Sequence, residues 1–503
     1  MRAPSIFLLI IVLLVSAILF TGCTSTKTPQ AAGDAEKTLA SADASYEQAQ
    51  YRSAARLYDE AYRQYMATGD IVAARTAVNG RIRSERMTAE FPYNLTAISA
   101  AINTTFPGIP ADRKASWLTP EESQQILSDG EVLYYEGTIR NIYYHNPDLL
   151  HAMTARAGHT GLYDDVKDVA FARAVPGEGT YRNPILWEGT GTLSIPRELL
   201  PGNGTLQIWM PLPIETGSQR NVTIISVEPA EYVVYPPATT GDIGIVYLEI
   251  PLENVRSGHL NVSTRFRFTG YEQRFDIDPD TVGACNTSDP LYIRYTSSGD
   301  NIVITPDMQA KAREIVGNET NPYRQAEKIY WYIIDTYPYS VVPHLMLNTA
   351  EIPESAYVLS TGYGDCGSQS MYFAALCRSL GIPARATGGY QLIPGVGGSH
   401  FWAEFYLQEY GWVPVDVTVA ETAGWSFDAT EDERQLFMAY YFGNLDPYRY
   451  VIQNDVDIPL TPDPGDAVLF RLVRQYPAVV CDTCTEDVEL LAATHWKTEV
   501  RQV

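Results

Sequence analysis

The chain changes its hydrophobic pattern twice along its length, and this succession limits the folds that it can adopt. Residues 37–90 have helical spacing, residues 188–275 contain short β-rich runs separated by Gly, Pro and Asn, and helical segments return after residue 288. A chain of 503 residues is also too long for one hydrophobic core. The pattern therefore predicts an α+β protein with several domains.

We expect six successive segments, each with its own composition. They are a signal peptide (1–22), a tether (23–36), a helical hairpin (37–95), a mixed and mostly helical connector (96–187), a β-sandwich (188–280) and an α+β domain with a C-terminal extension (281–503).

The spacing of small and large residues in the hairpin resembles tetratricopeptide (TPR) repeats. One helical stripe holds Ala54, Leu57, Tyr58, Ala61, Tyr62 and Tyr65. About one repeat unit is recognisable, whereas repeat arrays need three or more units for stability. We therefore expect the hairpin to pack on its neighbouring domain or on a protein partner.

The N-terminus has the features of an export signal. Arg2 precedes the apolar run Ile6–Phe20, which fits a signal-peptide core better than a membrane span. The small residues before Cys23 resemble the lipobox of prokaryotic lipoproteins, which implies cleavage, lipidation of Cys23 and membrane anchoring at the cell surface. A plain signal peptide and an uncleaved anchor are the alternatives, and all three place the bulk of the chain outside the cytoplasm.

The charge balance excludes nucleic acid as a partner. The formal net charge is −24 and the pI is about 4.7, whereas nucleic-acid binding needs a basic surface. The sequence also contains no Gly-rich phosphate loop and no His-Glu-x-x-His helix, and we expect no cofactor and no metal site.

A cysteine with accessible, small neighbours is the first candidate for chemistry. Cys366 lies in the stretch "TGYGDCGSQS", at the start of a predicted helix. Unpaired N–H groups at a helix N-terminus favour negative charge, so we expect a lowered thiol pKa. A thiolate nucleophile also needs an imidazole to transfer protons and a carboxylate to orient that imidazole.

A predicted β-hairpin supplies both groups. His400 begins its first strand, Asp416 ends its second strand, and the turn lies near residues 408–411. Residues that are opposite or diagonal on one face of a hairpin lie about 4.5–8 Å apart. We therefore expect a histidine with a carboxylate beside it, facing the helix that bears Cys366.

These motifs together resemble the transglutaminase-like superfamily of papain-type thiol enzymes. The resemblance rests on "GDCGSQSMYFAALCRSLGIPARATGGY" followed by "SHFWAEFYLQEYGWVPVDVT", and it extends over residues 320–420. It implies a papain/transglutaminase-like α+β core with Cys366 as nucleophile, His400 as general base and acid, and Asp416 as the orienting carboxylate.

The resemblance also implies an activity. We expect a cell-surface thiol enzyme that acts on amide bonds of proteins or peptides through a thioester, as a peptidase or amidase or as an acyltransferase, with hydrolysis favoured over crosslinking. The alternative is a non-catalytic envelope binding protein with a degenerate domain.

A second pair of cysteines has a separate role. Cys481 and Cys484 form a Cys-x-x-Cys motif without a second pair of ligands, which favours a local disulfide over zinc.

Overall fold

The computed structural model describes residues 29–156, 163–172, 179–256, 258–427, 429–470 and 475–503. The predicted signal peptide and Cys23 lie outside these ranges, so their processing stays a prediction. Within these ranges, no helix combines the length and the apolar character that a membrane span requires.

Three helices form the N-terminal region, where the sequence predicted a hairpin. They are α1 (Pro29–Glu47), α2 (Tyr51–Thr68) and α3 (Ile71–Ala89). The break between α1 and α2 contains Ala49 at a positive φ of 55°, and no Gly or Pro marks it in the sequence. The turn before α3 is made by Gly69, which has φ 73°, and the Asp70 side chain caps α3 by accepting a hydrogen bond from the Ala73 N–H. The tetratricopeptide-like character stays a prediction.

A connector of short elements follows the three helices. Its elements are β1 (Tyr93–Asn94), α4 (Leu95–Thr105), α5 (Ala111–Ser116), β2 (Gln125–Ser128), β3 (Glu131–Tyr134), α6 (Thr138–His145), α7 (Pro147–Arg156) and α8 (Asp164–Phe171). The three strands form a small antiparallel sheet in the order β1-β3-β2.

Six antiparallel strands come next and build most of a two-sheet sandwich. They are β4 (Tyr181–Pro196), β5 (Thr205–Pro211), β6 (Gln219–Glu228), β7 (Val233–Ala238), β8 (Ile245–Pro251) and β9 (His259–Arg274). Alternate residues of these strands point inward, and the interior contains fully buried Leu193, Ile208, Val246 and Val262.

The α+β core surrounds one almost completely buried helix. Its elements are α9 (Pro290–Tyr295), α10 (Pro306–Val316), α11 (Pro322–Thr336), α12 (His344–Thr349), α13 (Glu354–Thr361), α14 (Cys366–Ser379), β10 (Ala384–Gln391), β11 (Gly398–Leu407), β12 (Gly411–Val415), α15 (Val417–Glu421), α16 (Glu431–Tyr440), β13 (Asn444–Leu445) and β14 (Arg449–Gln453). Helix α14 packs on a sheet in the order β12-β11-β10-β14. The predicted hairpin is β11–β12.

The end of the chain returns to the sandwich. Strands β15 (Ala478–Cys481) and β16 (Trp496–Gln502) flank α17 (Val488–Thr494). They complete two antiparallel sheets, one in the order β13-β9-β4-β16 with β6 also paired to β9, and one in the order β15-β5-β8-β7. A disulfide joins Cys481, the last residue of β15, to Cys484, the alternative that the sequence favoured over zinc.

Candidate active site

Cys366 is the first residue of α14, and the residues around it fix the start of this helix. The Asp365 carboxylate accepts a hydrogen bond from the Ser368 N–H at 3.0 Å, and the Asp365 N–H donates in return to the Ser368 hydroxyl oxygen at 2.9 Å. This reciprocal pair is a capping box. Gly364 is required before it, because a Cβ there would lie 2.5 Å from Ser368 Oγ and 2.9 Å from a methyl of Val358.

The Cys366 thiol is half-buried at the wall of a cavity of about 150 Å³. Burial, and after it the negative charge of Asp365, raises the pKa of the Cys366 thiol to about 12. The prediction that the helix N-terminus would lower this pKa is therefore wrong for the free protein, because burial outweighs the effect of the helix N–H groups. At neutral pH this raised pKa favours the protonated thiol of Cys366.

His400 and Asp416 meet at the end of the β11–β12 hairpin. His400 Nε2 lies 2.8 Å from Asp416 Oδ2. Ala403 pairs with Val415 in this hairpin, so Asp416 lies one diagonal step from His400, one of the two placements expected from the sequence. Asp416 has already left the strand, and its carboxylate also accepts the Val419 N–H at 3.0 Å as the N-cap of α15.

A buried arginine, which sequence reasoning missed, holds Asp416 in its charged form. Arg449 Nη1 donates to Asp416 Oδ2 at 2.6 Å, and Arg449 Nε donates to both oxygens of Asp446 at 3.2 Å. Burial alone would raise the pKa of the Asp416 carboxyl, but the His400 ring and the Arg449 guanidinium hold it well below its usual range. The guanidinium also lies 5.4 Å from the Trp402 ring centroid.

The cavity that Cys366 lines also contains His400, so the structure brings the predicted nucleophile and base to one site. The connector supplies two of its aromatic lining residues, Tyr144 and Tyr163. The other lining residues are Tyr144, Tyr163, Tyr339, Gln391, Ser399, Thr418, Val419, Glu421, Thr422 and Trp425. Tyr144, at the end of α6, lies 4.9 Å from Tyr339 between ring centroids.

Across the described ranges, no group of three or more His, Cys, Asp or Glu side chains could hold a metal ion.

Residues 309–417 match the family model of the transglutaminase-like superfamily, and this range includes Cys366, His400 and Asp416. The chain thus contains a transglutaminase-like domain. The elements from α10 to the end of β12 make up this domain, which is the part of the chain for which the sequence motifs indicated this family.

The similarity to one known protein extends over a longer part of the chain. An uncharacterized protein of Haemophilus influenzae is 32% identical over 239 residues, which is 41% of this chain and 63% of that protein. The match therefore spans less than two thirds of that relative.

Two solved structures show weaker likeness. One is a candidate cysteine protease from Cytophaga hutchinsonii, with 16% identity, a TM-score of 0.36, and coverage of 60% of this chain and 99% of that chain. The other is the periplasmic domain of TgpA from Pseudomonas aeruginosa bound to ethylmercury, with 14% identity, a TM-score of 0.23, and coverage of 52% of this chain and 94% of that domain.

Proposed function

We propose that this protein is a thiol enzyme that cleaves amide bonds of proteins or peptides through Cys366, His400 and Asp416. The observation that carries the proposal is the 2.8 Å contact between His400 Nε2 and Asp416 Oδ2, in a cavity that Cys366 also lines. A buried imidazole oriented by a charged carboxylate, beside a cysteine at a helix start, is the arrangement that nucleophilic thiol catalysis requires.

The resting thiol determines the first step. Because burial keeps Cys366 protonated, its proton passes to Nδ1 of His400 as Sγ attacks the substrate carbonyl carbon. The Asp416 carboxylate accepts the hydrogen bond from His400 Nε2 and stabilises the imidazolium that forms. The backbone N–H of Cys366 is the expected donor to the oxyanion.

The second half of the reaction releases both products. The tetrahedral intermediate collapses when the C–N bond breaks, and the leaving amine takes the proton from His400. A thioester then joins the acyl group to Sγ. Water attacks this thioester while His400 takes a water proton, and the carboxylic acid leaves as the thiol is regenerated. Hydrolysis is favoured, and an amine in place of water gives acyl transfer.

Product analysis tests this function. A glutaminyl peptide is incubated with the protein, with and without methylamine, and the products are identified by mass spectrometry. Hydrolysis yields the free acid under both conditions, whereas acyl transfer yields the methylamide. Cys366→Ala is the matched control, because it removes only Sγ and should leave the thermal stability nearly unchanged. Equal product formation by Cys366→Ala and wild type would overturn the proposal.

We propose a location at the cell surface, with a lipid anchor on Cys23. The support is the apolar run Ile6–Phe20 before Cys23 and the Cys481–Cys484 disulfide, since disulfides persist in oxidising compartments outside the cytoplasm. Intact-mass analysis of membrane-fraction protein should show a lipidated Cys23, and Cys23→Ser should release the protein from that fraction, provided that a signal peptidase still cleaves it. An unmodified Cys23 in the mature chain would exclude the anchor.

A further inference from the structure

A second histidine lies next to the nucleophile and belongs to no part of the proposed reaction. His344, the first residue of α12, is held between two carboxylates. Its Nε2 lies 2.6 Å from Asp365 Oδ2, and its Nδ1 lies 2.7 Å from Glu354 Oε1. Asp365 and Glu354 are only 9% and 1% exposed. Asp365 directly precedes Cys366, so this chain of three groups ends at the reacting thiol.

The negative charge of Asp365 is unfavourable for thiol chemistry at Cys366. Its Oδ1 caps α14, a task that a neutral Asn performs about as well. The additional negative charge opposes ionisation of Cys366. A cation on the other oxygen of Asp365 would offset that charge and leave the cap intact.

His344 is placed to be that cation. Burial would lower the pKa of His344, but the carboxylates of Asp365 and Glu354 outweigh burial and raise it well above its usual range. Further ionisable groups that interact with this ring are Glu90 and Tyr135, from the N-terminal part of the chain, and Cys366 itself. Two carboxylates in direct contact with the ring favour its protonated form.

We infer that His344 is a positioning residue whose imidazolium neutralises Asp365, so that Cys366 can lose its proton during catalysis. The inference rests on the proposed function only in naming Cys366 as the nucleophile. A purely structural role, in which His344 merely ties α12 and α13 to the start of α14, predicts a loss of stability without a specific change in thiol reactivity.

Alkylation by iodoacetamide separates the two roles and needs no substrate. The rate of modification of Cys366 is measured by peptide mass spectrometry from pH 7 to pH 10, with Cys285 as an internal reference. His344→Gln should slow Cys366 by about 3- to 10-fold at pH 8, because one pKa unit changes the thiolate fraction about tenfold. The rate at Cys285 should not change.

The matched variant is Asp365→Asn, which keeps the helix cap and removes the charge. In the double variant His344→Gln/Asp365→Asn, Cys366 should react within about twofold of the Asp365→Asn rate, since no charge is left to neutralise. A His344→Gln rate equal to wild type, or a double variant as slow as His344→Gln, would overturn the inference.

A second measurement covers the case in which His344→Gln fails to fold. Glu354→Gln is nearly isosteric and removes one of the two carboxylates, so His344 should lose its proton at lower pH. The Cys366 rate should match wild type at pH 7 and fall behind it by pH 9. Superimposable pH profiles would contradict the inference. Absence of turnover with an intact alkylation pattern would instead count against the proposed amide substrate alone.

Discussion

At the residue scale, the candidate site depends on a buried row of alternating charges. Asp416 and Asp446 are fully buried, while His400 and Arg449 are each 5% exposed. A carboxylate in this setting stays ionised only if it is paired, and Asp416 has two partners of opposite charge when His400 is protonated. The row therefore keeps a negative charge available behind the imidazole throughout the proposed reaction.

The first prediction concerns the negative charge of Asp416. Asp416→Asn should lower kcat by about 10²–10⁴, because the carboxylate orients His400 and stabilises its protonated form. Asn keeps the N-cap of α15, so the folded structure should survive. His400→Ala should be at least as damaging, because it removes the proton carrier. The measurement is kcat/KM across pH for both variants, and an Asp416→Asn variant as active as wild type would show that another group orients the imidazole.

The second prediction concerns Arg449. Arg449→Met leaves Asp416 and Asp446 without their shared cation, and it should destabilise the protein by about 3–5 kcal/mol at pH 7. Because the pKa of Asp416 is depressed in the folded state, its contribution to stability is present above its unfolded pKa and is lost as pH falls. The difference in unfolding free energy between wild type and Arg449→Met should therefore become smaller towards pH 3. Urea unfolding of the variant and the wild type at pH 7 and pH 3 measures this difference in stability. A loss below about 1 kcal/mol at pH 7 would contradict the pairing of Arg449 with the two carboxylates.

Local motifs predicted the three candidate site residues because each stands in a short, distinctive sequence. Cys366 is flanked by glycines and an aspartate cap, and His400 and Asp416 are joined by a hairpin of predictable register. Arg449 was missed, because its contact with Asp416 spans 33 residues and no local pattern encodes that distance. The thiol pKa was misjudged for a related reason: burial is a property of the packed fold.

At the element scale, the last strand of the chain completes a sheet that begins 300 residues earlier. Strand β16 pairs with β4 from Trp496↔Leu193 to Gln502↔Trp187. The Trp496 ring also lies over Gly191, where a Cβ would come within 2.3 Å of it. Without β16, the edge of β4 would be open to solvent and to other chains.

The third prediction tests this closure. Deletion of residues 496–503 should lower the thermal stability of the protein and promote self-association, because β4 becomes an unpaired edge. Deletion of residues 502–503 is the matched control, since it keeps nearly all of the β16 ladder. Light scattering during thermal unfolding measures both effects. A truncated protein that stays monomeric with wild-type stability would show that β16 is dispensable.

Elements with strong periodicity were predictable, and pairings between distant elements were not. Of the predicted stripe on α2, the residues Ala54, Tyr58, Ala61 and Tyr65 are buried, as their helical spacing indicated. The strands of residues 188–275 were also recognisable from alternation and turn residues. Strands β15 and β16 were read as a C-terminal extension, because a strand sequence does not specify which distant edge it will pair with.

At the scale of the whole molecule, charged side chains on and just after α3 join the N-terminal region to the rest of the chain. On α3, Arg86 is 1% exposed, and its Nε donates to Asp487 Oδ2 at 2.6 Å. Glu90, just after α3, accepts the Met346 N–H of α12 at 2.9 Å. The helical region therefore packs on its own chain, one of the two arrangements expected from the sequence. Because α12 also carries His344, this contact reaches the surroundings of the nucleophile.

The last prediction uses Glu90 as a reporter of that contact. Burial raises the pKa of Glu90 from its ordinary 4.5 to about 7, although the Met346 N–H and the His344 ring partly oppose the rise. The folded protein therefore binds more protons than the unfolded chain between about pH 4.5 and pH 7, and stability falls as pH rises through this window. Glu90→Gln keeps the acceptor for Met346 and removes the titration. The variant should match wild type near pH 4 and exceed it by about 1–3 kcal/mol at pH 8.

Chemical unfolding at a series of pH values makes the comparison, with the exposed Glu47→Gln on α1 as the matched control. Only Glu90→Gln should flatten the pH dependence between pH 4.5 and pH 7. Parallel curves for Glu90→Gln and wild type would mean that Glu90 is solvated and that the N-terminal helices pack on α12 less closely than the 2.9 Å hydrogen bond indicates. A flattened curve would place the helical region and the start of α12 in one cooperative unit, with the N-terminal region acting as part of the scaffold of the candidate site.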